Sequence, residues 1–232
     1  MLSIIIPTYN EEKYLPKLLD CIKKQTYKDY EIIVGDGDSK DKTKQIAKNY
    51  GCKIVKGGSP AMGRNNGAGA AKGNILLFLD ADSLIDKNFL KDSLMDIENR
   101  KIDVGGSRLY PVSGKLIDNI FLGTFNVWID ATQFFYPNAC GTGIFCKKEL
   151  HKKIRGFDET IKLSEDMDYV KRCGKYGKFR ILKNKGITYS MRRYDKEGRF
   201  KVGLKLFLSA LYRLFFGEIR SDVFNYNLRY RK

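Results

Sequence analysis

The chain has 232 residues, 30% of them charged, and a formal net charge of +16. That length suits one generous α/β domain, alone or with a helical appendage, and the composition is that of a globular protein rather than a disordered or fibrous one. Five cysteines at positions 21, 52, 140, 146 and 173 form an odd set with no CxxC pair and no histidine at zinc spacing, which argues against a disulfide framework or a zinc site and for a reducing compartment.

The chain opens on an apolar strand, Leu2–Ile6, with no basic leader and cleavable apolar segment ahead of it, so no export signal is expected. Asn10 is expected to cap a helix over Glu11–Lys24, where Tyr14, Leu15, Leu18, Leu19 and Ile22 share a face. Tyr30–Val34 reads as a second strand running into the turn cluster Gly35-Asp36-Gly37-Asp38-Ser39. A helix over about Asp41–Tyr50, a short strand Lys53–Val55, the break Gly57-Gly58-Ser59-Pro60 and a helix over Ala61–Ala71 follow.

Ile75–Leu79 is a short, wholly apolar run, the pattern of a strand buried on both faces, and it ends in Asp80-Ala81-Asp82. Residues 80 and 82 point the same way. Paired carboxylates at a strand end make a hard oxygen site suited to Mg²⁺ or Mn²⁺ with a substrate diphosphate; an equally simple reading is that they cap the next turn or helix. After a helix near Asn88–Glu98, this βαβα order predicts a mostly parallel sheet covered on both faces, with ligands beyond the strand C-termini, where residues 36, 80 and 82 fall.

The second half is less regular. Val104–Leu109 reads as a strand, Leu116–Phe135 as an amphipathic helix holding the sole Trp128, and Gly141–Cys146 as a loop entering a strand. Gly156-Phe157-Asp158 is a turn, and Ser164 is expected to cap a helix whose first turn holds Glu165, Asp166 and Asp168. His151 sits among Lys147, Lys148, Lys152 and Lys153, as an exposed helical residue would, and free Cys140 and Cys146 read as small buried hydrophobes. Arg192 and Arg193 follow a strand-like Thr188–Met191 and read either as anion contacts or as a solvated basic face.

Basic residues crowd the C-terminus, from Arg192 to Arg229, Arg231 and Lys232, against only Asp195, Glu197, Glu218 and Asp222. Within it, Val202–Phe216 is too short to span a bilayer but suits either an interfacial helix on anionic lipid or a helix packed on the core. The charge permits nucleic-acid attraction, yet no nucleic-acid motif is present.

Taken in order, Ile4–Asn10, Asp36–Thr43, Gly63-Arg64-Asn65-Asn66-Gly67, Asp80-Ala81-Asp82, Gly156-Phe157-Asp158-Glu159 and Glu165-Asp166 resemble the family 2 inverting glycosyltransferases of the GT-A fold, from Leu2 to about Lys183. The resemblance implies a GT-A domain over 1–190, with a nucleotide-binding half (1–100) and an acceptor and catalytic half (101–190), followed by a basic amphipathic extension over 191–232. It implies that Pro7, Tyr9, Glu11, Asp36, Arg64 and Asp80 line the nucleotide and diphosphate, that Asp82 ligates Mg²⁺ or Mn²⁺, and that Asp166 is the catalytic base. Glu165, Arg192 and Arg193 are further candidates for diphosphate or acceptor contacts. Gly35 and Asp38 depart from the usual pattern, and the family's C-terminal histidine ligand has no counterpart here.

The implied reaction moves a sugar from a nucleotide sugar, a UDP-sugar for preference, to a hydroxyl on a glycan or lipid-linked acceptor, on the cytoplasmic side and peripherally at the inner face of the membrane. Polyprenyl-phosphate acceptors, already ionised, need no base, so a retained Glu165-Asp166 favours a hydroxyl. A nucleotidyltransferase would want a glycine-rich phosphate loop near the first strand, and Pro7–Asn10 has none. The remaining rival is a non-enzymatic basic module that binds membrane or nucleic acid.

Overall fold

In the computed structural model, which describes residues 1–221, 223 and 224, a seven-stranded sheet carries the order β3-β2-β1-β4-β8-β6-β9. Its first half is the parallel sheet that the alternating pattern predicts: β1 (Leu2–Thr8) lies between β2 (Tyr30–Asp36) and β4 (Ile75–Phe78), and β3 (Lys53–Lys56) closes the edge. The sheet is buried on both faces. Leu2, Ile4, Ile6, Leu77 and Leu79 enter one core cluster with α1 (Leu15–Lys23) and α4 (Phe89–Asn99). Ile5, Leu76 and Phe78 enter the other, with α3 (Pro60–Ala70) and α7 (Glu165–Gly174). The period-2 alternation of side chains makes this sorting automatic.

The remaining elements are α2 (Thr43–Asn49), β5 (Leu84–Ile85), β6 (Val104–Gly106), β7 (Leu109–Pro111), α5 (Leu116–Thr132), β8 (Ile144–Lys147), α6 (Lys148–Lys153), β9 (Phe179–Ile181), β10 (Ile187–Tyr189), α8 (Arg192–Glu197) and α9 (Arg199–Phe216). β8 inserts antiparallel between β4 and β6, and β5, β10 and β7 form a second, three-stranded sheet. The run Val104–Leu109 therefore splits into strands of two different sheets rather than forming one.

Two predicted caps fail. Asn10 adopts φ 54° and its side-chain oxygen accepts from the Lys40 backbone N–H at 2.8 Å, so it braces the loop after β2. The helix starts at Leu15 instead, where Pro16 presets φ. Ser164 is left-handed (φ 65°) and makes no side-chain cap bond. His151 is the third correction. It is buried, not exposed, with Nδ1 2.9 Å from the Tyr169 hydroxyl and its ring against Phe78, because short α6 lays one face over the sheet while its lysines point outward. Burial, with the nearby Arg172 charge, pushes its imidazole down to about 4, so it is neutral at ordinary pH.

The last segment docks back on the domain. Arg199 of α9 makes paired contacts with buried Asp118 of α5 at 2.6 and 2.9 Å, and Phe121 meets Tyr194 edge-on at 5.3 Å. Arg229, Arg231, Lys232 and Asp222 of the basic C-terminal end lie outside the described residues. No described helix is long and apolar enough to cross a membrane.

Candidate active site

The carboxyl ends of β1, β2 and β4 meet at one sheet edge, and α3 packs across them through a run of small and polar residues. Gly63 lies against Gly35 so closely that a Cβ on Gly35 would stand 2.6 Å from the Gly63 carbonyl oxygen. That contact explains the departure at residue 35, since a bulky side chain there would push α3 off the sheet. Asn65 then exchanges two bonds with Phe157, Nδ2 donating to its carbonyl at 2.9 Å and Oδ1 accepting its N–H at 2.8 Å. This joins α3 to the Gly156-Phe157-Asp158 turn. Between these contacts Arg64 is directed into the site.

Arg64 is 97% buried and bridges two distant acids, Nη2 to Asp80 at 2.9 Å and Nη1 to Glu165 at 2.8 Å. Burial opposes its charge, but Asp80, Glu165 and Asp166 outweigh that and hold it protonated. Its Nε is buried with no hydrogen-bond partner. Gly141 leaves room beside it, because a Cβ there would lie 2.7 Å from Arg64 Nη2 and 3.1 Å from Asp166 Oδ2. Asp80, Glu165, Asp166 and Arg64 thus form one cluster.

The Asp80-Ala81-Asp82 turn is fixed from behind. Thr142 Oγ1 accepts the Asp80 N–H at 3.2 Å and stands 2.8 Å from Ser83 Oγ, while the Ser83 N–H reaches the Asp80 carbonyl at 3.1 Å. Asp82 faces Arg192 Nε at 2.8 Å. Arg192 also grips Glu11 with both terminal nitrogens, at 2.6 and 2.8 Å, and stacks 4.5 Å over the Tyr14 ring. Burial, reinforced by Asp80 and Glu11, pushes the Asp82 carboxyl up to about 6 against the lowering pull of Arg192. Asp166 stands in the cleft wall, accessible on one side and enclosed on the others. That enclosure, followed by the Glu165 charge, pushes its carboxyl up to about 7 while Arg64 pulls it down.

A cleft of about 650 Å³ connects these groups. Pro7, Glu11, Arg64, Asp80, Asp82, Glu165, Asp166, Arg192 and Arg193 all line it, so most of the predicted site residues share one cavity. Tyr9 and Asp36 are outside that lining. Asp36 is buried at the end of β2, where its carboxylate accepts from Thr8 Oγ1 (3.0 Å), the Ser39 N–H (2.9 Å) and Ser39 Oγ (2.6 Å). The unusual Asp38 is exposed and meets Lys40 at 2.6 Å and Lys44 at 3.0 Å, so its extra charge is compensated locally. Cys140 lines the cleft, and burial raises its thiol well above the ordinary range, which leaves it protonated and non-nucleophilic. Cys146 and Cys173 lie buried with sulfurs 4.0 Å apart.

Sequence reasoning missed Asn138, Tyr189, Ser190 and Arg213, which also line the cleft. Asn138 and Ser190 sit in irregular segments, Tyr189 ends the short strand β10 and Arg213 lies on a helix read for its apolar face, and no spacing marks them.

The donor set suits a hard divalent cation. Asp80 and Asp82 supply only oxygen, and both line the cleft at the end of β4. Among the described residues no group of three or more potential protein ligands is assembled.

The acids and the buried arginine thus gather beyond the carboxyl ends of a mostly parallel sheet, where open α/β domains bind their ligands. The sequence model described as "Glycosyl transferase family 2" matches residues 3–152, and the chain belongs to that family. It is 29% identical over 204 residues to the poly(ribitol-phosphate) beta-N-acetylglucosaminyltransferase TarS of Staphylococcus aureus, a match covering 82% of this chain and 35% of that protein. It is 30% identical over 185 residues to the minor teichoic acid biosynthesis protein GgaB of Bacillus subtilis, covering 72% and 20%. The chain therefore spans about a third or less of the length of these relatives.

Solved structures share the fold. Residues 1–349 of S. aureus TarS in complex with UDP-GlcNAc superpose with a TM-score of 0.67 at 24% identity, covering 82% of this chain and 58% of that one. The mannosyltransferase PcManGT of Pyrobaculum calidifontis, in complex with GDP-Man and Mn²⁺, gives 0.69 at 20% identity, covering 90% and 61%. Family membership sets aside the reading of a purely non-enzymatic basic module.

Proposed function

We propose that this chain transfers a sugar from a nucleoside-diphosphate sugar to an acceptor hydroxyl in one inverting displacement, with Asp166 as the base. The observation that carries this reading is the cleft that Asp80, Asp82 and Asp166 line together with buried Arg64, which bridges Asp80 and Glu165. The acceptor O–H attacks the anomeric carbon, the bond from that carbon to the diphosphate oxygen breaks, and the proton passes to Asp166. A carboxyl pushed up to about 7 is half-ionised near neutral pH and well matched to taking a proton from a hydroxyl as attack proceeds.

The leaving diphosphate gathers negative charge, and Arg64 and Arg192 are the cations lining its side of the cleft. Both are held by carboxylates, Arg64 by Asp80 and Glu165 and Arg192 by Glu11 and Asp82. Asp82, with Asp80 beside it, would hold Mg²⁺ or Mn²⁺; such an ion supplies Lewis-acid stabilisation of the departing phosphate oxygen. Arg192, which pairs with Asp82, is also held by both of its terminal nitrogens on Glu11, so Asp82 would be able to hold a cation while Arg192 keeps its Glu11 contact. Glu165 acts by orienting Arg64. Pro7 and Glu11 line the nucleotide end, with Asp36 and Tyr9 at its margin.

UDP-GlcNAc in TarS supports a UDP-sugar as the first donor to try, and Mn²⁺ in PcManGT supports a divalent ion. The acceptor is a hydroxyl on a membrane-held molecule or a glycan, and the protein works peripherally at the inner face of the membrane. The division into a 1–190 unit and a 191–232 extension is then one of sequence character only, because Arg192 and α9 of the extension line the same cleft. A panel of nucleotide sugars with Mn²⁺, read by thermal shift, tests it: a donor that binds only the folded chain raises the melting temperature. Absence of a shift with every donor, with and without Mn²⁺, would overturn the reading.

A further inference from the structure

The cleft does not end at the acids. It continues between α5 and α9, where Phe121, Leu122, Phe125, Leu206 and Ala210 line its walls and Trp128 stands at its side. Three polar side chains interrupt this surface and each is already partnered: Thr124 Oγ1 donates to the Phe121 carbonyl at 2.8 Å, Ser209 Oγ to the Leu206 carbonyl at 2.7 Å, and Arg213 pairs with Glu218 at 2.7 Å. A sugar in this passage would find these polar groups already engaged, so hydroxyls turned to the apolar walls would give up water without a new partner. A hydrocarbon chain has no such requirement.

The passage also opens onto apolar surface. Phe207, Leu211 and Leu214 of α9 are exposed, as are Ile120 and Val127 of α5. The basic excess lies on α8 and α9, with Arg193, Lys196, Lys201 and Lys205 against Asp195 and Glu197, whereas α5 carries Asp118 and Asp130 and no basic residue. Apolar walls leading to an acid, beside positive charge, suit an amphiphile whose hydroxyl-bearing head sits near Asp166 and whose linking anion lies near the basic residues.

We infer that the acceptor is lipid-linked and that its hydrocarbon chain lies in the passage between α5 and α9. This rests on reading the cleft as a sugar-transfer site, and it narrows the acceptor from any hydroxyl compound to an amphiphile held by its tail. α9 is accordingly a substrate-binding element. Its Arg199 contact with Asp118 and the approach of Gly203 to Phe121 set the width of the passage.

Methyl, octyl and dodecyl β-maltosides, each used below its micelle threshold, probe the full chain without knowledge of the natural acceptor. Trp128 is the only tryptophan and stands in the lining, so its emission reports occupancy directly. A buried methylene contributes about fourfold in affinity, so dodecyl maltoside should bind at least tenfold tighter than octyl maltoside, with methyl maltoside silent. Ala210→Phe, which fills the passage, should weaken dodecyl maltoside at least tenfold, whereas Phe207→Ser on the outer face should leave it within twofold.

Chain-length independence, or sensitivity to Phe207→Ser with indifference to Ala210→Phe, overturns the inference. Thermal shift with UDP-GlcNAc and Mn²⁺ on the same proteins separates the two readings. Donor binding intact in Ala210→Phe with no amphiphile preference in the wild type sinks the lipid acceptor alone. Amphiphile binding with no nucleotide-sugar binding sinks the transfer reading instead.

Discussion

Replacing Asp166 by Asn removes the proposed base while keeping size and polarity, and two independent consequences follow. The first is kinetic: a positioned general base contributes about 10²–10⁴-fold, so turnover should fall by that factor with donor affinity nearly unchanged. In the wild type, the rate should rise with pH through a limb near 7, because the ionised form is the active one. The variant should lose that limb.

The second consequence is on stability, and its sign is opposite to that of a paired acid. An aspartate ionises near 3.9 in the unfolded chain but at about 7 here, so the folded state binds the proton more tightly. Its stabilising contribution is complete below the unfolded value and is lost as pH rises through the folded one. About three units at ~1.4 kcal/mol each bounds the cost above pH 7 at roughly 4 kcal/mol. Solvent on the cleft side and the lost attraction to Arg64 reduce the net gain from Asp166→Asn to about 1–3 kcal/mol. At about 2–4 °C per kcal/mol for a domain this size, the variant should melt about 2–12 °C higher at pH 8, with the difference vanishing near pH 4. Thermal denaturation across pH checks this. A variant that melts lower at pH 8, or one that keeps wild-type turnover, refutes the assignment of Asp166.

Asp82→Asn should abolish tight Mn²⁺ binding by isothermal titration in the presence of UDP and cut donor turnover by at least 10²-fold; unchanged Mn²⁺ affinity would remove the ion from this position. Arg192→Met strands Glu11 and Asp82 without a counter-charge, and partial exposure discounts the cost to about 1–3 kcal/mol, read as a lower urea midpoint. Gly35→Ala drives a methyl into the Gly63 backbone and should destabilise by about 1–3 kcal/mol or more, measured the same way. Phe207→Ser with Phe215→Ser removes two exposed rings from α9 and should lower sedimentation with anionic vesicles while leaving the melting temperature within a few degrees; equal sedimentation would count against membrane docking through this face.

Much of the first half was legible because its signals are local. The apolar run at 75–79 reads as a buried strand, β4 covers Ile75–Phe78 of it, and the chain then presents residues 80 and 82 beyond the strand's carboxyl end. The run Gly63-Arg64-Asn65-Asn66-Gly67 was visible as a motif, but its meaning lies elsewhere in the chain: Gly63 fits Gly35, Arg64 holds Asp80 and Glu165, Asn65 holds Phe157 and Asn66 reaches the Lys56 carbonyl. His151 was misread because a lysine-rich neighbourhood describes the outer face of a short helix and says nothing of the inner one.

The sequence alone determined which residues carry charge, which segments alternate with the period of a strand or a helix, and therefore that acids gather at the carboxyl edge of a parallel sheet. Tertiary structure decided the rest. It chose which charges meet, as in Arg192 reaching back to Glu11 across most of the chain, and it placed β8 antiparallel between strands that local pattern leaves adjacent. Periodicity is a property of neighbours a few residues apart, whereas ion pairs and clefts form between groups whose proximity depends on how every intervening element packs.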